Sequence, residues 1–178
     1  MLSTDLDDVQ IERLLRRLSS SVSKALSDDD QEIVYSTISD ILDFKDESKV
    51  GSRALTSSSR DYLISILNNL ADGDRKDTKG KSKWIKLVEK AMYTLTNDWA
   101  CPTMKTYSQG NFEVTLRREN KSKLNGVAFV SGAGSFQYPS DLYSSTDTSC
   151  TDIQFIDLKN TQWFSGSSGV LNNKVCIF

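Results

Sequence analysis

Histidine is absent from this sequence, and cysteine and proline are scarce, with three and two residues respectively. Without histidine the chain cannot form a Ser-His-Asp triad or a Cys-His pair. The cysteines form no CxxC pair, so a zinc site is not expected either. Glycine-rich phosphate-binding motifs are missing as well, and the nearest glycine-rich piece, Gly132-Ala133-Gly134, is interpreted as a turn. We therefore expect no cofactor and no metal.

An excess of positive charge is also missing, since 22 Lys and Arg residues face 24 acidic residues and the net charge is −2. Nucleic-acid-binding domains usually carry a basic excess or a basic stripe, so no nucleic-acid partner is expected. No stretch approaches the roughly 20 apolar residues that a membrane span needs. The acidic start of the chain has no apolar segment of a signal peptide. The protein is therefore expected to be cytosolic or a piece of a larger exported protein.

The first half of the chain has the apolar spacing of four amphipathic helices. The first helix is predicted over about residues 5–26, with its apolar residues on a single stripe. That stripe consists of Leu6, Val9, Leu14, Leu18, Val22 and Leu26. A second helix begins at Ser27, where Asp28, Asp29 and Asp30 are interpreted as an acidic first turn rather than a metal site, and it ends near Phe44.

The third and fourth helices are predicted from the same signals, an apolar stripe and residues that begin or end a helix. The third is predicted to be capped by the serines at 57–59 and stopped by Asp72-Gly73-Asp74, with Tyr62 among its inward residues. The fourth is predicted over residues 82–99 and has the strongest apolar stripe in the chain. Its members are Trp84, Leu87, Val88, Ala91, Met92, Leu95 and Trp99.

Beyond Cys101-Pro102 the apolar period falls to two, which is typical of strands. Phe112, Val114 and Leu116 alternate with polar residues, and residues 152–158 alternate again. Asn125-Gly126 indicates a turn, and the run Arg117-Arg118-Glu119 is interpreted as a solvated strand end. The predicted fold class is α+β, with a four-helix subdomain at 1–100 and an antiparallel β-sandwich-like subdomain at 101–178 that is incomplete at its C-terminus.

All three cysteines, Cys101, Cys150 and Cys176, fall in the second half. They are either buried free thiols or one disulfide with a third cysteine left over. We hypothesise that Cys101 pairs with Cys150 because both lie in one subdomain, and that Cys176 stays free or bonds outside the chain. Asn120-Lys121-Ser122 is an N-glycosylation sequence in a predicted turn, so Asn120 is a candidate glycan site if the protein is secreted.

Five segments of the second half carry a resemblance to a known family. They are Phe112-Glu113-Val114, residues 134–142, Ile153-Gln154-Phe155-Ile156, Thr161-Gln162-Trp163-Phe164 and residues 169–178. With a helical bundle, a tryptophan-bearing last helix and a cysteine at its end, they resemble the GAIN domain of adhesion receptors and polycystin/REJ-like surface proteins. The resemblance implies the front part of such a domain. The family's His-Leu-Ser/Thr cleavage tripeptide is missing, so self-cleavage is not expected.

The function predicted from these observations is a non-catalytic extracellular or cell-surface module that serves adhesion or assembly. Its expected partner is a protein, or a downstream segment, that completes the sheet. The final strand, residues 174–178, is accordingly expected inside the sheet or against a partner strand, because an exposed apolar edge invites association. The alternatives are a cytosolic helical scaffold and a hydrolase whose acidic pair is not recognisable among so many carboxylates. A disulfide or a glycan on Asn120 would favour the extracellular interpretation.

Overall fold

A computed structural model describes residues 6–22, 26–47, 54–72, 78–131, 134–158 and 174–177. In these residues four helices precede a set of antiparallel strands, and the predicted α+β class is confirmed. The chain divides into two compact units, Met1–Asp98 and Trp99–Phe178.

The helices of the first unit are α1 (Asp8–Val22), α2 (Asp28–Glu47), α3 (Ser57–Asp72) and α4 (Thr78–Thr96). Three of them begin with a side chain that accepts a hydrogen bond from a free backbone N–H of the first turn. Asp7 accepts from the Gln10 amide at 2.7 Å, and the Gln10 side chain accepts from the Asp7 amide at 2.9 Å. Ser27 accepts from Asp30 at 3.2 Å, as predicted.

The third cap differs from the prediction. Thr56, rather than a serine of 57–59, accepts from the Ser59 amide at 3.1 Å. Thr56 also lies 3.0 Å from a Glu12 carboxylate oxygen, to which its hydroxyl donates, so one residue begins α3 and links it to α1.

The inward face of α1 was predicted only in part, since Val22 is buried as expected but Ile11 and Leu15 were left out and Val9 was wrongly included. Val9 is 57% exposed, whereas Ile11, Leu15 and Val22 are buried. Steps of four and seven residues keep these three side chains on one face of a 3.6-residue helix, whereas the predicted stripe contained a five-residue step. Ile33 of α2 is exposed.

The predicted stripe of α4 is confirmed. All of its members are buried, and the Trp84 side chain is completely inaccessible, with its indole Nε1 donating to the Leu67 carbonyl of α3 at 3.0 Å. Helix α4 ends at Thr96, earlier than predicted, and Trp99 is the first residue of the second unit.

The second unit contains six described strands: β1 (Thr103–Ser108), β2 (Phe112–Asn120), β3 (Ala128–Ser131), β4 (Gly134–Gln137), β5 (Cys150–Leu158) and β6 (Lys174–Ile177). Four form an antiparallel sheet in the order β1-β2-β5-β6, and β3 pairs with β4 in a two-stranded sheet. Strand β1 was not predicted. Its side chains are mostly exposed, so its sequence lacks an apolar alternation.

Strand β5 does not alternate as predicted, because Ile153, Gln154, Phe155 and Ile156 are all buried. Successive strand residues point to opposite faces, so both faces of the sheet are covered at β5. Ile153 and Phe155 belong to a cluster on one face, which contains Leu124, Tyr138, Ile153 and Phe155, with Tyr143 packed against it.

Candidate functional site at the disulfide-linked end of the sheet

Three of the residues singled out in the sequence meet at one end of the four-stranded sheet. Cys101 precedes β1, Asn120 ends β2 and Cys150 begins β5. Asn120 and Cys150 are direct partners in the β2–β5 ladder. A disulfide joins Cys101 to Cys150, with their Cα atoms 6.4 Å apart, so the bond connects the segment before β1 to the start of β5.

The Asn120 side chain lies against this disulfide. Its Oδ1 atom is 3.2 Å from the Cys101 sulfur and 3.4 Å from the Cys150 sulfur. A disulfide carries no S–H donor, so these are van der Waals contacts in the bonded form. Two thiols at the same positions could each donate to this oxygen.

Arg118 connects three segments at the same end of the sheet. Its guanidinium donates from Nε and Nη2 to the two carboxylate oxygens of Asp152, both at 2.8 Å, and from Nη1 to the Trp99 carbonyl at 2.8 Å. The two side chains of the ion pair are only 22% and 20% exposed. The interpretation of this strand end as solvated is therefore wrong: the charges pair across β2 and β5, a long-range contact that local sequence does not reveal.

Glu119 confirms the same correction, since it is only 6% exposed. Its carboxylate accepts from Arg117 Nη2 at 2.8 Å and from the Asn120 backbone amide at 3.0 Å. Burial alone would raise the pKa of this carboxyl, but the hydrogen bonds from Arg117 and Asn120 and the charges of Arg117 and Lys123 outweigh burial and lower it.

The residues that follow Asn120 are hydrogen-bonded to the loop before β5. The Lys121 amide donates to the Ser149 carbonyl at 2.9 Å, and the Ser122 amide donates to the Asp147 carbonyl at 3.0 Å. The Asp147 carboxylate accepts from the Ser149 hydroxyl and amide, and these bonds lower its pKa with help from the Lys121 charge. The candidate glycan site thus lies where strand and loop are joined by backbone hydrogen bonds.

Asn125, predicted as a turn residue, also fixes this loop. Its Nδ2 donates to the Tyr143 carbonyl at 2.7 Å, and its Oδ1 accepts from the Tyr143 amide at 3.0 Å. The following Gly126 has φ of +69°, which glycine adopts readily.

Cys176 is not brought to this site. In β6 its backbone is the partner of Phe155, five residues along β5 from Cys150, and its side chain lies outside the described part of the structure. Strand β6 pairs with β5 along one edge, and none of the described strands pairs with its other edge. Phe178 lies outside the described residues.

The chemistry of this end of the sheet is that of a structural junction. Its two carboxylates with shifted pKa values, Glu119 and Asp147, are both shifted towards the charged form. Among the described residues no three His, Cys, Asp or Glu side chains are grouped as metal ligands. None of the described helices is both long enough and apolar enough to cross a bilayer. Sequence reasoning missed Arg118 and Asp152, whose pairing depends on the β2–β5 register.

Comparison with known proteins shows similarity of fold to a solved structure. No protein-family model matches the chain. Among solved structures, the full extracellular region of zebrafish Gpr126/Adgrg6, an adhesion receptor, superimposes with a TM-score of 0.58 at 14% identity. The alignment covers 89% of this chain and 23% of that protein, so the chain spans less than a quarter of its length. The chain therefore shares its fold with part of an adhesion-receptor extracellular region.

Proposed function

We propose that this chain is a non-catalytic module of an extracellular or cell-surface protein and that it serves adhesion or assembly. The observation that carries the proposal is the Cys101–Cys150 disulfide, which links the segment before β1 to β5. Disulfides persist in oxidising compartments and are rare in the cytosol. The fold shared with an extracellular region points in the same direction.

In its finer form, the proposal identifies the chain as the front part of a GAIN-type domain. The order of helices before an antiparallel sheet supports it, as does the alignment over 89% of the chain. A downstream segment or a partner protein would then pair with the outer edge of β6, the edge that no described strand occupies.

The compartment is tested by producing the chain behind a secretory signal in eukaryotic cells and, separately, in a reducing cytosol. Thiols are blocked at lysis, and the Cys101 and Cys150 peptides are mapped by mass spectrometry. We expect a soluble secreted protein with the Cys101–Cys150 bond formed. A protein that folds only in the cytosol with free thiols would contradict the proposal and favour a cytosolic scaffold.

Glycan occupancy at Asn120 is read from the same secreted sample. We propose that Asn120 carries an N-glycan, which removal by an N-glycosidase would reveal as a loss of mass. Asn120→Gln removes the asparagine to which a glycan would be attached. Ser122→Ala is its matched control, because it removes the glycosylation sequence but retains the Asn120 side chain. A mass unchanged by the glycosidase would contradict glycosylation.

The assembly role is tested at β6. Hydrogen exchange of the Lys174–Ile177 amides is compared between this chain and a longer native polypeptide that continues beyond Phe178. If the continuation supplies a pairing strand, exchange at these amides will slow, while exchange at the central β2 amides will not change. Equal exchange at β6 in both proteins would contradict a sheet completed from downstream.

A further inference from the structure

The two cysteine residues of the disulfide differ in their exposure to solvent. Cys150 is exposed, whereas Cys101 is only partly exposed. Thiol–disulfide exchange begins when a thiolate approaches one sulfur in line with the S–S bond, so the sulfur that is attacked depends on access. Cys150 is the more exposed of the two residues, which makes its sulfur the expected point of attack and the Cys101 sulfur the expected leaving group.

The Asn120 side chain lies close enough to accept a hydrogen bond from the leaving thiol. Its Oδ1 is 3.2 Å from the Cys101 sulfur and 3.4 Å from the Cys150 sulfur. An amide oxygen only accepts hydrogen bonds, and neither sulfur of the bonded form has a hydrogen to donate. Opening the bond creates thiol donors beside this acceptor, and a hydrogen bond to Asn120 would favour the reduced form over the oxidised form.

The strands at this end of the sheet are held by other contacts as well. The β2–β5 ladder runs without a break from Phe112↔Leu158 to Asn120↔Cys150. Arg118 joins Asp152 and the Trp99 carbonyl through three hydrogen bonds of 2.8 Å. These contacts do not involve the sulfurs, so they keep Cys101, Asn120 and Cys150 near one another when the S–S bond opens.

We propose that Cys101–Cys150 is a thiol–disulfide exchange site, attacked at Cys150, and that Asn120 is its positioning residue. The thiolate of a small thiol or of a thiol oxidoreductase forms a bond to the Cys150 sulfur. The S–S bond breaks, and its electron pair leaves with the Cys101 sulfur, which takes up a proton from solvent and donates to Asn120 Oδ1. A second external thiolate then attacks the external sulfur of the mixed disulfide, Cys150 leaves as a thiolate that takes up a proton from solvent, and the two external sulfurs are left joined as a disulfide.

The experiment uses the purified oxidised chain and reduced glutathione. Early mixed disulfides are quenched with acid and mapped by mass spectrometry, where Cys176 falls on a separate peptide. We expect glutathione on Cys150 and little on Cys101. Predominant addition to Cys101 would overturn the proposed direction of attack.

The role of Asn120 is read from the ratio of reduced to oxidised glutathione at half-reduction. Asn120→Ala removes the acceptor, so the oxidised form is favoured and the equilibrium constant for reduction should fall about two- to tenfold, the range of one ordinary hydrogen bond. Asn120→Asp retains an acceptor, so it should stay closer to the native ratio, but its negative charge should slow attack by a thiolate. Asn125→Ala is the matched control, because that asparagine contacts the Tyr143 main chain instead of the sulfurs.

An unchanged ratio in Asn120→Ala, or an easier reduction, would overturn the role of Asn120. If Asn120→Ala does not fold, Asn120→Asp decides: native-like reduction with slower exchange supports the role, and equally fast exchange overturns it. The inference goes beyond the proposed function and requires only that the purified chain carries the bond. A secreted chain with free thiols counts against the proposed function, whereas attack at Cys101 counts against this inference alone.

Discussion

The helical unit and the sheet unit are stabilised in different ways. In the helical unit, apolar side chains from all four helices are inaccessible to solvent, and Trp84 and Leu67 are completely buried. In the sheet unit, strand ends are joined by a disulfide, by Arg118–Asp152 and by loop hydrogen bonds, while Met104 and Val130 are 63% and 79% exposed. The comparison teaches that the first unit relies on a large buried apolar core, whereas the second combines a smaller buried core with a disulfide and a largely buried ion pair that join its strand ends.

The largest expected effect is in the helical unit. Trp84→Ala removes a fully buried indole and its hydrogen bond to Leu67, and we expect it to lower the free energy of unfolding by about 3–5 kcal/mol. Urea unfolding followed by circular dichroism measures the loss. Tyr93→Ala, at a 52% exposed position of the same helix, is the control and should change stability by less than about 0.5 kcal/mol. Equal effects of the two would contradict a core built around α4.

The next effect belongs to the sheet unit. Cys101 and Cys150 are 49 residues apart, and a disulfide that closes a loop of that size stabilises the folded state by about 4 kcal/mol in the chain-entropy model. Cys101→Ser should therefore destabilise β2 and β5, as measured by faster hydrogen exchange of their amides, and leave α1–α4 almost unchanged. Comparable loss of protection in α4 would show that the two units do not unfold separately.

Arg118 offers a finer test of the cross-links. Arg118→Ala leaves Asp152 largely buried without its bidentate partner, and we expect a loss of about 2 kcal/mol. Arg118→Lys keeps the charge but not the planar pair of donors, so it should recover only part of the stability. Thermal unfolding of the three proteins gives the order native, lysine variant, alanine variant. Full recovery by lysine would show that charge alone matters.

The smallest effect is a pH dependence at Glu119. Because its folded pKa is lowered, the stabilisation is fully present above the unfolded value of about 4.5 and is lost as pH falls through the folded value. Native protein should therefore lose more stability between pH 6 and strongly acidic pH than Glu119→Gln does, as urea midpoints would show. Identical pH profiles would contradict a stabilising charge on Glu119.

The two units also differ in how much of them the sequence could predict. The α4 stripe was predicted because a buried helix face leaves a local 3.6-residue pattern, and the Ser27 cap was predicted because a cap acts within three residues. The α1 face was predicted only in part, because extra apolar residues, Val9 among them, allow more than one stripe to be drawn.

The candidate site was predicted only in part. The three residues that meet there, Cys101, Asn120 and Cys150, were recognisable by residue type and by the glycosylation sequence. Arg118 and Asp152 were not recognised, because their ion pair arises from strand register over a separation of 34 residues. Strand β1 was also missed, since its burial is too slight to produce an alternating pattern.

The slight burial of strand β1 has a consequence for solubility. Strand β1 lies at one end of the sheet order, and β2 is its single partner among the described strands. Its exposed side chains are mostly polar, Met104 being the exception, and the Lys105 ammonium lies 5.3 Å from the centre of the Trp99 ring. A charge on an edge strand opposes pairing with a strand of another molecule, because such pairing would bring like charges together and remove them from water. Lys105 therefore protects the molecule from aggregating through this edge at high protein concentration.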